Sequence, residues 1–273
     1  MVNPDVTVGT VVSLWRYPVK SMLGEELNAT QIEPQGLLGD RAYALIDTAT
    51  GMTVSAKNPR KWGKMFDCRA TLAESSEGVN LSSLKITLPD GSIVLSNAED
   101  ADQILSQLLG RTVKLEVNAP QKPNLEEYWP SVKGLPHQDA VTDEATLANT
   151  FFDGATVHLL TTATLDRLQE LTPTARFETR RFRPNVVIKP MQEGTGFIEN
   201  DWIGHTIAIG DDVRLTVTGA CPRCVMTTMA QGELPTDLSV LRTSVQHNQG
   251  NVGIYASVNQ GGTSRRGDVI QLV

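Results

Sequence analysis

Val213-Arg214-Leu215-Thr216-Val217 runs straight into Thr218-Gly219-Ala220-Cys221-Pro222-Arg223-Cys224-Val225-Met226-Thr227-Thr228. Apolar and polar side chains alternate along Val213 to Val217, the period of a half-buried strand. Gly219 and Pro222 are expected to break its ladder, because Gly reaches unusual φ/ψ and Pro lacks an N–H. The segment then presents Cys221 and Cys224 at a strand end beside Arg223. A cation near a thiol stabilises the thiolate, which is both nucleophile and metal ligand.

The spacing of the two cysteines admits several readings. They can be small buried hydrophobes, since free Cys is commonly buried. A structural zinc site needs a second Cys or His pair, and Cys68, His137, His158, His205 and His247 are scattered singly. A thioredoxin-like pair should open a helix in a βαβ unit, whereas this pair follows a strand and precedes β-branched residues. A single soft thiolate can also serve a metal whose other ligands come from a cofactor. Cys68, in Phe66-Asp67-Cys68-Arg69, reads as a core residue.

Outward from this stretch, short strands dominate. Val6 to Trp15 is rich in Val and Thr and leads to Arg16-Tyr17-Pro18-Val19-Lys20-Ser21. Pro18 confines that segment to a strand end or turn, which leaves Lys20 and Ser21 in a loop where cation and hydroxyl together suit an anion. Gly39-Asp40-Arg41 marks a turn before a buried strand; Arg41 can bind an anion or pair with Asp40. Residues 57–64 are the most basic stretch, a solvated face, a surface for an acidic partner or a help in holding an anionic ligand. Alternation around Asp90-Gly91 predicts a hairpin. Ser96 to Glu99 matches a capping box, followed by Ala101, Ile104, Leu105, Leu108 and Leu109 on one helical face, with Gly110 ending the helix.

Residues 118–139 hold Pro120, Pro123, Pro130, Gly134 and Pro136 with little periodicity, and read as a crossover between two domains, 1–120 and 121–273. A weak helix is expected near residues 144–148. A strand over residues 156–160 gives way to a helix at Thr161 and Thr162, positions that normally cap and whose hydroxyls and free N–H groups also suit a phosphate. Arg183-Pro184-Asn185 precedes the strand Val186 to Ile188. Arg offers a rigid fork for phosphate, and Asn offers donor and acceptor to a heterocycle edge. Leu238, Leu241 and Val245 suggest a short helix begun by Asp237, and closing strands follow. The fold class is mainly β with a few short helices (α+β), rich in barrels.

Composition narrows the function. The 273 residues are 40% hydrophobic and 20% charged, with net charge −7, a soluble globular balance that argues against nonspecific nucleic-acid binding. No apolar run reaches the roughly 18 residues that span a bilayer. Met1 to Asp5 lacks the basic start of a signal peptide, and three cysteines make no disulfide framework. The expected compartment is a reducing cytoplasm.

Together, Tyr17-Pro18-Val19-Lys20-Ser21, Gly39-Asp40-Arg41, Arg181-Phe182-Arg183-Pro184-Asn185, Ala220-Cys221-Pro222-Arg223-Cys224 with Thr227-Thr228, and Gly253-Ile254-Tyr255 with Gly267-Asp268-Val269-Ile270 resemble the MOSC-domain family. The resemblance is to members of the amidoxime-reducing type and covers nearly the whole chain. It implies an N-terminal β-barrel domain followed by a MOSC-type β-barrel domain. It also implies molybdenum cofactor, a pterin bearing a dithiolene and a phosphate, with Cys224 as the protein ligand to molybdenum and Cys221 not. Lys20, Ser21, Arg41, Arg183 and Asn185 match positions that hold phosphate and pterin, and Thr161 and Thr162 match the hydroxyl-bearing turn. A pyridoxal phosphate association also comes with the family.

The implied activity is an oxidoreductase that removes oxygen from small N-hydroxylated substrates. The chain shows no ferredoxin-type cysteine set, so electrons are expected from a separate ferredoxin-, flavin- or cytochrome-type partner. The alternative is a non-catalytic carrier of the cofactor or of sulfur on Cys224.

Overall fold

A computed structural model describes the backbone of residues 6–75 and 78–273; the first five residues lie outside it. The structure is mostly β, and its longest helices, Thr162–Leu171 and Ser239–Asn248, have 10 residues each. No helix among the described residues is long and apolar enough to cross a membrane.

A ring of strands closes on itself. Val6–Arg16 pairs with Val186–Pro190 on one side and Val269–Leu272 on the other. The ring continues through Thr206–Ile209, Val213–Pro222, Asn251–Gln260 and Val157–Thr161, which returns to Val186–Pro190. This last pair is parallel and is bridged by the helix Thr162–Leu171, as a parallel pair requires a crossover. The barrel of the second half therefore takes a strand from the extreme N-terminal part of the chain, across the boundary expected near residue 120. Its interior holds Leu14, Leu159, Ile188, Leu215 and Ile254, none more than 1% exposed. Each such side chain contributes about 2 kcal/mol through burial.

Gly219 and Pro222 do not end the strand that carries the cysteines. It runs to Pro222 against Asn251–Gln260 and absorbs both residues as register shifts, at Val217/Gly219 and Ala220/Pro222. Bulges add twist and re-aim side chains without ending the ladder.

The N-terminal half surrounds a second core with small sheets: Ala44–Asp47 with Val113–Glu116, and Arg69–Ser75 with Gly78–Thr87 and Ile93–Leu95. The hairpin at Gly91 (φ 86°) forms as expected, and Gly110 (φ 68°) ends the helix Ala101–Leu109. Cys68 is fully buried in this core. Ser96 does not cap that helix: its Oγ accepts from Leu84 N at 3.3 Å, and Asp100 takes the capping position without a side-chain bond. Met226, just past the cysteine pair, inserts into this N-terminal core, with Cys224 packed against it.

Residues 118–139 are not a featureless crossover. Asn124–Trp129 pairs antiparallel with Ala140–Ala145, from Asn124↔Ala145 to Trp129↔Ala140. The helix expected near residues 144–148 is absent because Glu144 and Ala145 belong to this hairpin. Its alternating burial puts Leu125, Glu127 and Trp129 on one face with Ala140, Thr142 and Glu144.

Candidate functional site

Val6–Arg16 finishes where Val157–Thr161 and Val186–Pro190 start, and Val213–Pro222 finishes where Asn251–Gln260 starts. The loops leaving these strands enclose a cavity of 530 Å³, whose wall includes Lys20, Ser21, Arg41, Arg183, Asn185 and Cys224. Six of the residues singled out in the sequence are thus brought together from four separate stretches.

Three of them sit on left-handed backbone: Ser21 at φ 66°, Arg41 at 48° and Arg183 at 54°. Gln249 (φ 53°), a fourth wall residue, does the same. That conformation costs an L-residue about 1 kcal/mol or more and persists where surrounding contacts over-determine it. Here the contacts are visible. Lys20 Nζ donates to Asp153 Oδ1 at 2.5 Å and to Phe151 O at 2.7 Å. Ser21 Oγ accepts from Ala56 N at 3.0 Å. Arg41 Nη1 donates to Asp40 Oδ2 at 2.5 Å, so its pairing with Asp40 and its place in the cavity wall coexist. Arg183 Nη1 donates to Met22 O at 2.7 Å and its guanidinium lies 4.2 Å from the centre of the Tyr17 ring.

Burial sets the electrostatics. It lowers the Lys20 ammonium pKa against the pull of Asp153. Burial and the neighbouring Arg41 push Arg183 down to about 10. Lys57, by contrast, is held well above the ordinary lysine value: Asp153, Cys224 and Glu127 outweigh its burial. Lys20, Arg41, Lys57, Arg183 and Arg223 face only Asp153, Glu127 and Glu144 along the wall, so the cavity carries excess positive charge and suits an anion.

The two cysteines have different surroundings. Cys224 is half-buried, lines the cavity and heads the one-turn helix Val225–Thr228. Burial, with Glu127 acting in the same direction, pushes its thiol up to about 11. Cys221 points away, 1% exposed, and Arg223 Nη1 donates to its Sγ at 2.7 Å. Burial opposes ionisation there, but Arg223 and His158 overcome it and bring Cys221 down to about 6. The cation between the cysteines therefore serves Cys221 directly.

Asn185 reaches the cavity, but its amide is used within the protein. Its Nδ2 donates to Asp40 Oδ2 at 2.9 Å and Trp15 O at 3.3 Å, and its Oδ1 accepts from His158 N at 3.0 Å. In the described arrangement these bonds tie the start of the strand Val186–Pro190 to the strands Val6–Arg16 and Val157–Thr161 and to the Asp40 turn.

Thr161 and Thr162 do not join the site. They stand at the far end of the strand Val157–Thr161, whose start lines the cavity through His158; strand rise of about 3.3 Å per residue separates them by about 10 Å. Thr161 caps the helix Thr162–Leu171 and donates to the buried Glu199 at 2.6 Å. Thr162 lines a different cavity beside Trp15 and Tyr17. At the basic cavity, that part of the chain contributes Phe151 to Ala155 instead.

Sequence reasoning missed Asp153, Glu127 and Trp129 as wall residues. Lys57 was visible only as part of a basic stretch, which the fold neutralises: Lys57 pairs with Glu127 at 3.0 Å, Arg60 with Asp139 at 2.6 Å, and Lys61 with Glu126. The alternation Leu125, Glu127, Trp129 was the available signal for a strand wall.

A phosphate-bearing pterin fits this donor set. The excess of cations faces the cavity, and Arg223 Nε, on a wall residue, is buried with no hydrogen-bond partner, an omission that costs free energy unless an acceptor arrives. Among the described residues no three His, Cys, Asp or Glu side chains group to hold a metal; a metal held through Cys224 would need its remaining ligands from a cofactor.

Mitochondrial amidoxime-reducing component 1 of Mus musculus is 29% identical over 244 residues, covering 81% of this chain and 66% of that protein. Mitochondrial amidoxime reducing component 2 of Rattus norvegicus is 26% identical over 245 residues, covering 81% and 67%. The chain thus spans about two thirds of the length of these relatives. Among solved structures, the YuaD protein of Bacillus subtilis aligns over 98% of this chain and 97% of its own, with 13% identity and a TM-score of 0.49. YiiM of Geobacillus stearothermophilus aligns over 57% and 72%, with 13% identity and a TM-score of 0.34. Residues 8–114 match the MOSC N-terminal beta barrel domain and residues 146–271 match the MOSC domain. These two matches, in this order along the chain, place it in the MOSC-domain family.

Proposed function

We propose that the chain is a molybdenum-cofactor-dependent oxidoreductase that reduces N-hydroxylated compounds. The observation that carries this reading is that Cys224 and the cations Lys20, Arg41 and Arg183 open on one 530 Å³ cavity. A phosphate at the Lys20, Ser21, Arg41 and Arg183 end would leave Cys224 to reach the metal. When bound, the cofactor supplies a two-electron redox centre able to take oxygen from nitrogen. The balance is R–N–OH plus two electrons and two protons giving R–N–H and water.

The residues of the chain supply the surroundings of that step. Lys57 stays protonated beside Glu127 and Asp153, so a cation faces the reacting end of the cavity. Phe152 and Trp129 restrict water there. The fixed Arg183–Tyr17 contact holds the anion end rigid. Electrons come from a separate redox protein in a reducing cytoplasm; none of Cys68, Cys221 and Cys224 is in a disulfide.

The test is reduction of benzamidoxime to benzamidine by the protein purified from a cofactor-making host, with a chemical reductant in place of the partner. Turnover that Cys224→Ser abolishes while the circular dichroism spectrum stays unchanged supports the reading. Equal turnover by the variant removes Cys224 from the metal.

A further inference from the structure

Tyr17 has a part in two cavities. Its ring takes the Arg183 and Arg41 guanidinium groups, 4.2 and 4.7 Å from its centre, and both arginines line the basic cavity. Tyr17 itself lines a second cavity of 540 Å³, which shares no wall residue with the first. Sites for small organic molecules have about this size. Trp15 and Tyr17 lie two residues apart at the end of the strand Val6–Arg16, so their side chains fall on one face. Their rings stack, with centres 6.5 Å apart and planes 16° from parallel. Leu23, Leu165 and the buried Phe177 continue the apolar wall.

Two donors of this wall have nothing to bond. Trp15 Nε1 and Tyr17 Oη are buried and, among the described residues, have no hydrogen-bond partner. Tyr17 is 2% exposed, and burial raises its phenol above the ordinary value, which keeps it a protonated donor. An indole N–H can only donate, so the missing group is an acceptor. A buried donor costs free energy until one arrives.

Charge narrows the class. Arg180, in the same wall, is held by Glu178 at 2.6 Å and by Glu233. That leaves the exposed Arg69, whose Nη1 donates to Gly24 O at 2.5 Å, and the exposed Asp166. These two carry one charge of each sign, so the wall favours neither an anion nor a cation. Stacked aromatic rings and aliphatic side chains beside unpaired donors complement a flat ring system that carries an acceptor.

We propose that this cavity is a second ligand site, taking an uncharged planar aromatic molecule whose carbonyl accepts from Trp15 Nε1 and Tyr17 Oη. The site stands whether or not the basic cavity holds a cofactor.

Coumarin is the probe, and chromene, the same two rings with a methylene in place of the carbonyl, is its control. The full chain is labelled with an NMR-active nitrogen isotope in its four tryptophans. Trp15→Phe and Trp129→Phe assign the indole signals of the second and the basic cavity. The expected result is a saturable downfield shift of the Trp15 indole proton with coumarin. Coumarin should bind about tenfold tighter than chromene, the scale of one to two ordinary hydrogen bonds. Tyr17→Phe keeps the ring and should lower coumarin affinity about threefold or more, with chromene affinity unchanged. No saturable shift at Trp15 overturns the proposal and leaves water as the occupant. So does equal affinity for the two probes, or a Tyr17→Phe effect that is absent or the same for both. A shift confined to the Trp129 signal places coumarin in the basic cavity and overturns it too. The two probes on the natural protein decide the matter even where Tyr17→Phe fails to fold.

Discussion

Asn185 Nδ2 and Arg41 Nη1 converge on one oxygen, Asp40 Oδ2, at 2.9 and 2.5 Å. The other oxygen of Asp40 accepts from Tyr17 N at 2.7 Å. One buried carboxylate thereby ties the first barrel strand, the Gly39-Asp40-Arg41 turn and the start of the strand Val186–Pro190. Asp40→Ala leaves Arg41 without its counter-ion and Asn185 and Tyr17 with lost acceptors. It is expected to cost about 3 kcal/mol, the scale for breaking a buried pair. Chemical denaturation checks this, and a loss below 1 kcal/mol, the range of an exposed pair, would show that the turn is held elsewhere.

Arg181 is fully buried two residues before Arg183. Its guanidinium donates to the carbonyls of Arg176, Thr227, Met229 and Pro235 at 2.8 to 3.1 Å. Three of those acceptors, Thr227, Met229 and Pro235, lie on the segment that follows Cys224, so Arg181 anchors the loop that positions the thiol. Arg181→Lys keeps the charge but not the fork. It is expected to lose about 2 to 3 kcal/mol and to speed hydrogen exchange from Thr227 to Pro235. Unchanged exchange there would contradict the anchoring role.

Glu199 is 1% exposed, with Thr161 and Thr164 donating to Oε2 at 2.6 and 2.7 Å and Oε1 unpartnered. Burial raises its carboxyl above the ordinary value of 4.5, against the pull of the two hydroxyls. The folded state therefore holds a proton that the unfolded chain releases above that value. Stability from this group is complete below 4.5 and is lost as pH rises through the folded pKa, at about 1.4 kcal/mol per pH unit within that window. Glu199→Gln should remove this component, so the stability difference between variant and natural protein shifts in the variant's favour as pH rises. Parallel pH profiles would show that Glu199 ionises as freely in the fold as outside it.

What could be read from the sequence was local. The hairpin at Asp90-Gly91, the leucine face of Ala101–Leu109 and its Gly110 terminus depend on neighbours within a few residues. The resemblance collected Lys20, Ser21, Arg41, Arg183, Asn185 and Cys224, which the fold does gather. What escaped depends on partners far along the chain. Ser96 looks like a cap until Leu84 N claims it. Thr161 looks like a phosphate ligand until Glu199, 38 residues on, occupies its hydroxyl. Lys57 looks solvated until Glu127, 70 residues on, neutralises it. The hairpin of residues 124–145 was hidden by flanking prolines that sit outside its strands.

The central claim is that the cavity beside Cys224 holds molybdenum cofactor. Its most direct test is elemental mass spectrometry for molybdenum, with fluorescence of the oxidised pterin, on protein purified from a cofactor-making host. The account predicts stoichiometric molybdenum and pterin in the natural protein, and loss of metal in Cys224→Ala, with pterin retained on Lys20, Arg41 and Arg183. Natural protein that carries neither molybdenum nor pterin would contradict it.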